Sequence, residues 1–278
     1  MDGDVGEVGR SDRLLCIAMG WMSGRVAIVT GASKGIGRVI SQVLGQEGAA
    51  VVCAARSAQL VGETAEAVKG AGGRAVAIAA DLSTEAGAQA LVDCAIAEFG
   101  HIDCLVNNAG DGGPTKPIQD YSLDEWRYTL DSCLTSSFLC TRAAVPAMIK
   151  AGRGAIVNIS SMAGRRGMPY RVGYCAAKAG QTGMTYGLAH ELGPHNITVN
   201  TILPGAVEGD RIDRMIAGQA QVRGTTAEEV RQSFVARSPL KRMTLPEDIA
   251  WTTLFLLSDH ARSISGQCLP VNAGEPAS

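Results

Sequence analysis

The sequence predicts an α/β fold: one doubly wound parallel sheet of about seven strands with helices on both faces. Three observations predict it. From Arg25 onward, short apolar runs alternate with segments of helical period. The runs are continuously apolar rather than alternating, which marks parallel strands covered on both faces. The length of 278 residues suits one large core better than two small domains. Right-handed crossovers then lay helices on both sides of the sheet.

The elements follow in order. Arg25 to Thr30 is a short β-rich run, and a helix pattern follows from about Ile36 to Glu47. Ala50 to Ala55 is a second strand, followed by a helix over about 58–70. Arg74 to Ala79 is a third, with a helix over about 84–99. Cys104 to Val106 opens a fourth, and one long helix is expected over about 122–150. Ala155 to Ile159 is a fifth, followed by a helix over about 173–192. Ile197 to Ile202 and Gln267 to Val271 complete the sheet. Between them, 206–237 is polar and rich in Arg, and reads as helical loops over the sheet's carboxyl edge.

The first 22 residues differ from the rest. Met1 to Arg13 is polar and Gly-rich, while Leu14 to Met22 is apolar but far too short to span a bilayer. It lacks a basic n-region and an A-x-A site, so it does not read as a signal peptide. The expectation is a loosely ordered extension over 1–22, with Met19 or Met22 as alternative starts, ahead of one domain over 23–278.

Composition excludes several classes. Apolar residues make up 46% and charged residues 19%, which rules out a wholly disordered chain. Aromatics at 4% leave little for a base-stacking or carbohydrate platform. A net charge of −2 gives no global attraction to nucleic acid or an anionic membrane. The eight cysteines include no C-x-x-C pair and no companion histidines, so no metal site is expected. Most lie in apolar runs, as small buried hydrophobes of a reducing, cytoplasmic setting.

Directly after the first strand comes Thr30-Gly31-Ala32-Ser33-Lys34-Gly35-Ile36-Gly37, where a helix begins. Glycines there permit a tight turn and close approach of backbone to a pyrophosphate, and the helix N-terminus supplies N–H donors. A plain structural βα turn is the competing reading. An adenosine ribose would lie at the end of the second strand, where a carboxylate favours NAD. Here Ala55 is followed by Arg56, with Lys34 nearby in the glycine loop, so NADP(H) is favoured over NAD(H). Solvated charges are the alternative reading of both cations.

The T-G-x-x-x-G-x-G spacing resembles the short-chain dehydrogenase/reductase family, whose further motifs appear in order. Asn107-Asn108-Ala109-Gly110 follows the fourth strand and Ser161 the fifth; Tyr174-Cys-Ala-Ala-Lys178 opens the next helix, and Pro204-Gly205 follows the sixth strand. The resemblance spans about Ser23 to Gly274. It implies a single Rossmann-type domain with a substrate lid over about 206–237. It also implies a cofactor site comprising Gly31, Ser33, Lys34, Gly35, Ile36, Gly37, Arg56, Asp81, Leu82, Asn108, Ala109, Gly110, Tyr174, Lys178, Pro204, Gly205 and Val207. Asp81 reads nearly as well as a cap for the helix beyond Ser83-Thr84.

Tyr174 and Lys178 are four apart, so they share a helix face. A phenol with a pKa of about 10 is a poor base at neutral pH, and a nearby ammonium lowers it. The resemblance makes Tyr174 the general acid/base and Lys178 the holder of the nicotinamide ribose. Ser161, rather than its neighbour Ser160, would polarise the substrate oxygen. The implied activity is NADP-dependent interconversion of a ketone or aldehyde and an alcohol. A 3-oxoacyl thioester reductase and an NADP-binding regulatory protein without turnover are the alternatives.

Two positions depart from the family pattern. Cys133 stands seven residues beyond Trp126, where the family has an Asn supporting a proton-relaying water. The main-chain carbonyl of Cys133 is expected to hold that water, and a covalent role for its thiol is the other reading. Gly209 replaces a Thr after Pro204-Gly205, leaving backbone near Val207 to hold the nicotinamide amide. Arg165, Arg166, Arg171, Arg211 and Arg214 flank the expected substrate region. They read either as solvated or intersubunit charges or as partners for an anionic substrate. The resemblance also implies a homotetramer or homodimer, joined through the long helices after the fourth and fifth strands.

Overall fold

The computed structural model describes residues 20–276. The strands are β1 (Val26–Thr30), β2 (Ala50–Ala55), β3 (Arg74–Ala79), β4 (Cys104–Asn107), β5 (Gly154–Ile159), β6 (Ile197–Pro204) and β7 (Cys268–Val271). The helices are α1 (Gly35–Gln46), α2 (Ala58–Gly70), α3 (Glu85–Phe99), α4 (Leu123–Leu130), α5 (Ser136–Ala151), α6 (Ala163–Arg166), α7 (Val172–Leu192), α8 (Asp210–Arg223), α9 (Ala227–Arg237) and α10 (Pro246–Leu257). All strand pairs are parallel, in the order β3-β2-β1-β4-β5-β6-β7. Strand order reverses between β1 and β4, which opens a ligand crevice at their carboxyl ends.

Period-two geometry sends successive strand residues to opposite cores. Ala27, Val29, Val51 and Val106 pack with Ile40, Leu44, Val61 and Leu254 of α1, α2 and α10. Ile28, Val52, Leu105 and Ile156 pack with Leu91, Leu139, Met148 and Leu192 of α3, α5 and α7. Each fully buried Val, Leu or Ile contributes about 1.5–3 kcal/mol. Strands β1, β2 and β4 are buried throughout, whereas the edge strands β3 and β7 are partly exposed.

Two elements differ from the sequence expectation. The long helix over 122–150 is divided into α4 and α5 by a π-helical turn, Asp131–Thr135. Helix α10 went unpredicted because its apolar residues run all round it, which leaves no amphipathic period to read. Its start signals were present: Pro246 in the first turn, and Asp248 accepting from the Leu245 N–H at 2.9 Å.

The 206–237 excursion forms α8 and α9, which share a small core of Met215, Ile216, Ala220, Val230 and Phe234. Glu275, almost fully buried, ion-pairs Arg166 and Arg237 and ties the C-terminal segment to this excursion. At the other end, residues 1–19 of the expected extension, with Cys16 and Met19, lie outside the described residues. Gly20 to Met22 belong to the packed body instead: Met22 is fully buried, and the Trp21 ring lies 4.5 Å from that of His260.

The described cysteines are all free. Burial pushes the thiol of Cys53 up to about 11 and that of Cys140 up to about 12, so both stay protonated at neutral pH. Among the described residues no cluster suited to a metal ion occurs, and no helix is long and apolar enough to cross a membrane.

Asp103 knots the amino end of the sheet. Its buried carboxylate accepts from the Val26 N–H at 2.8 Å, ion-pairs Arg153 at 2.8 Å and lies 3.0 Å from His101 Nε2. Removing it strands a buried N–H and the Arg153 guanidinium. Asp103→Ala is therefore expected to lower unfolding free energy by about 3 kcal/mol in urea denaturation, with the Michaelis constants of the distant carboxyl edge unchanged.

Candidate active site

The β1–α1 turn is built for close approach. Gly31 and Gly35 have φ of +66° and +55°, the left-handed region that glycine enters without strain. A Cβ on Gly37 would lie 2.3 Å from the Gly31 carbonyl oxygen and 2.4 Å from Asn108 Nδ2. Asn108 Nδ2 donates to the Thr30 and Gly31 carbonyls at 2.9 and 3.2 Å. Thr30 Oγ1 in turn accepts from the N–H groups of Asn108 and Ala109, both at 2.9 Å. The two predicted motifs thus clasp each other. Thr30 was quoted in the motif but not singled out, although a hydroxyl at a strand end beside a Gly turn is a readable signal.

Helix α1 starts at this turn with no side-chain cap on its N-terminal N–H groups and no acid in its first turn. Those donors and the turn's clearance fit a dinucleotide pyrophosphate. Ser33, Lys34 and Ile36 line the turn, with Lys34 exposed. Arg56, exposed just past β2, has Nη1 3.5 Å from Tyr128 Oη. The Tyr128 hydroxyl, and Asp111 and Asp81 farther off, hold the Arg56 charge firmly in place. Asp81 accepts from Ser83 N and Oγ at 3.0 and 2.6 Å, bonds that hold its carboxyl below the usual range. The cap of α3 is Thr84, accepting from the Gly87 N–H at 3.1 Å, and not Asp81. Leu82 is buried beside it.

On the other side of the crevice, Pro204 ends β6, and a Cβ on Gly205 would meet Asn272 Cβ at 2.8 Å. Val207 pairs with Thr244 in an isolated parallel bridge. A Cβ on Gly110 would lie 2.8 Å from Cys133 Sγ, so this glycine lets the loop after β4 cross the π-helical turn.

Ser161, Tyr174 and Lys178 converge where β5 meets α7. Ser161 lies close enough to Tyr174 to act on its phenol, with its Oγ accepting from the Ala163 N–H at 3.1 Å, whereas Ser160 Oγ donates to the Lys178 carbonyl at 2.7 Å and anchors the helix. Burial pushes the Tyr174 phenol up, but the Arg211 guanidinium, the Lys178 ammonium and the nearby Ser161 hydroxyl outweigh it and bring it below its ordinary value. Burial likewise lowers Lys178, against the pull of Cys133 and Tyr174.

The predicted water-holding carbonyl is otherwise engaged. Cys133 O accepts from Ser137 Oγ at 2.9 Å and from Gln181 Nε2 at 3.1 Å, which uses both of its lone pairs. Gln181 Oε1 accepts from Lys178 Nζ at 2.8 Å, and the Ile159 carbonyl accepts from the same ammonium at 2.7 Å. The Cys133 thiol donates to the Asp111 carbonyl at 3.0 Å. The π-helical turn therefore reaches Lys178 through the Gln181 amide. Sequence reasoning missed Gln181, yet Tyr174, Lys178, Gln181 and Thr185 follow helical spacing and form one polar stripe.

The five arginines also separate. Arg166 is paired with Glu275, and Arg165 and Arg214 are exposed. Arg171, buried, and Arg211, itself exposed, stand over the Tyr174 ring, with Cζ 5.0 and 5.3 Å from its centroid.

Gln181→Leu leaves the buried ammonium with the Ile159 carbonyl alone and removes one hydrogen bond each from Ser137 Oγ and the Cys133 carbonyl, which keep their bond to each other. It is expected to cost about 1–3 kcal/mol of unfolding free energy, read by urea denaturation.

Comparison with known proteins agrees with this geometry. The family model described as short chain dehydrogenase matches residues 25–219. A cis-4-hydroxycyclohexanecarboxylate dehydrogenase of Sinomonas cyclohexanicum is 38% identical, across 91% of this chain and 97% of that protein. A monensin polyketide synthase putative ketoacyl reductase of Streptomyces virginiae is also 38% identical, across 90% and 96%. The crystal structure of an NAD+-bound xylitol dehydrogenase superposes with a TM-score of 0.88 at 31% identity, covering 91% of this chain and 99% of that one. With the motifs in order, the seven-stranded parallel sheet and these matches, the chain belongs to the short-chain dehydrogenase family.

Proposed function

We propose that the protein is an NADP-dependent oxidoreductase that interconverts a ketone or aldehyde and an alcohol. The observation that carries this reading is the grouping of Ser161, Tyr174 and Lys178 at the same carboxyl edge of the sheet as the uncapped N-terminus of α1. A dinucleotide would be held by Gly31, Gly35, Gly37 and the α1 N–H groups, with Asn108 to Gly110, Pro204, Gly205 and Val207 toward its nicotinamide end. When bound, it supplies or accepts the hydride at the reacting carbon. In reduction, Tyr174 donates its phenolic proton to the developing alkoxide, and the Ser161 hydroxyl stabilises that oxygen. In oxidation, Tyr174 accepts the alcohol proton. Lys178 keeps the phenol acidic enough for both roles.

NADP rather than NAD is supported by Arg56 and Lys34, neither of which forms an ion pair among the described residues, and by Ala55 where a ribose-binding carboxylate would stand. The NAD+ of the xylitol dehydrogenase belongs to that protein. A 3-oxoacyl thioester substrate is the second reading, favoured by the likeness to the ketoacyl reductase. A ketone panel including acetoacetyl thioesters separates the two. Self-association through α5 and α7 suits their exposed Phe138 and Tyr186, and free cysteines suit a cytoplasmic setting.

Tyr174→Phe should lower kcat by about 10²–10⁴-fold in steady-state assays, while NADP binding by fluorescence titration survives. Because the Tyr174 phenol lies below its ordinary value, alcohol oxidation should rise with pH to a plateau whose inflection falls below about 10. Carbonyl reduction should fall across the same inflection. Arg56→Asp should reverse the ratio of kcat/KM for NADP over NAD; an unchanged ratio removes Arg56 from cofactor choice.

A further inference from the structure

Arg171 is an unusual arginine. Only 6% of its surface is exposed, yet no carboxylate pairs with it among the described residues. Arg25, Arg153, Arg166 and Arg237 all have such partners. Its Nη2 donates to the Gly112 carbonyl at 2.9 Å and its Nη1 to Thr115 Oγ1 at 3.1 Å, both neutral acceptors. Its Nε is buried with no partner. A buried guanidinium without a counter-charge is costly, and burial depresses its charged form here.

The surroundings are shaped to accept that cost. A Cβ on Gly112 would lie 2.1 Å from Arg171 Nη2, so only glycine leaves room for the guanidinium against this backbone. Tyr170, immediately before Arg171, has φ of +64°, a strained conformation for a bulky residue. Its carbonyl is fixed by the Lys116 N–H at 3.0 Å. The second cation, Arg211, comes from the first turn of α8; it is solvent-exposed and has no ion-pair partner among the described residues. Asp111 acts on it only from farther away, its own Oδ1 accepting from the Gly113 N–H at 3.0 Å.

The geometry points to an anion subsite: Arg171 and Arg211 together hold a carboxylate carried by the substrate, a few bonds from the carbon that reacts at Tyr174. This rests on the oxidoreductase reading above and narrows its substrate to a small oxo acid or hydroxy acid. A 3-oxoacyl thioester has no negative charge that close to its ketone. Both guanidinia stand over the same phenol ring, so a carboxylate between them keeps the rest of a short chain or single ring within reach of the phenolic oxygen.

The test uses isosteric probes, 4-oxocyclohexanecarboxylate and 4-oxocyclohexanecarboxamide, with acetoacetyl thioester as a third arm. The wild type should prefer the carboxylate over the amide by about 10- to 100-fold in kcat/KM, mostly through KM. Arg211→Met should bring the ratio near unity, and Arg211→Lys should restore part of it. The ratio within one variant cancels any change in Tyr174 acidity that is common to both probes. A wild-type ratio near unity, preference for the thioester, or an Arg211→Met effect confined to the KM for NADPH overturns the subsite. Calorimetric titration of cyclohexanecarboxylate, with and without NADP+, provides a second readout. Binding that weakens at least tenfold in Arg211→Met, with no ketone turned over, supports the subsite and sinks the oxidoreductase reading. Turnover of both ketones at equal efficiency does the reverse. No binding and no turnover of the carboxylate overturns the subsite as well.

Discussion

A buried ammonium organises the centre of this protein. Lys178 lies almost wholly out of water, and an unpartnered cation there would be expelled or neutralised. Its acceptors come from different elements: the Ile159 carbonyl at the end of β5, and the Gln181 amide one turn along α7. Gln181 is itself held by Cys133 and Ser137 across the π-helical turn and α5. That π-helical turn interrupts the α-helical ladder between α4 and α5 at the level of Cys133. β5, α7 and the neighbouring helix are thus fixed relative to one another by the charge that also acidifies Tyr174.

A second polar seam reinforces the same region. Asn107 Nδ2 donates to Thr141 Oγ1 and to Asn158 Oδ1, both at 2.9 Å. Asn158 Nδ2 donates to Thr185 Oγ1 at 2.8 Å, which meets Thr201 Oγ1 at 2.6 Å. This ladder crosses β4, β5 and β6 near their carboxyl ends and stitches α5 and α7 to them. Apolar packing alone would allow those helices to slide; paired polar groups fix one register. The cofactor turn on β1 joins the seam through Asn108, so both halves of the crevice share one rigid frame.

Much of this was legible in the sequence, for identifiable reasons. Continuous apolar runs gave seven strands because a doubly covered sheet has no polar face. Gly31, Gly37 and Gly110 marked turns because a Cβ at each would strike backbone or Cys133. The fate of the Cys133 carbonyl was not legible, because its competitor Gln181 lies 48 residues away. The same long-range limit applied to the arginines, where five similar residues differ only in whether Glu275, solvent or Tyr174 faces them. Helix α10 escaped for a local reason, its apolar run having no polar face to set a period.

The cations around Tyr174 act on the reaction in opposite senses at different moments. Arg211 and Lys178 together hold the phenol down, which favours the phenolate needed to take a proton from an alcohol. In the proposed subsite, an anion between Arg171 and Arg211 would offset part of that field and move the phenol back up. The protonated form, the one the proposed reduction requires, would then be more populated with an oxo acid in the site than with a neutral ketone. Lys178 differs from the arginines in being anchored by the Ile159 carbonyl and Gln181, which hold its ammonium in place whatever occupies the crevice. The proposed division is therefore between one positive charge fixed by the fold and one that would respond to the substrate's own charge.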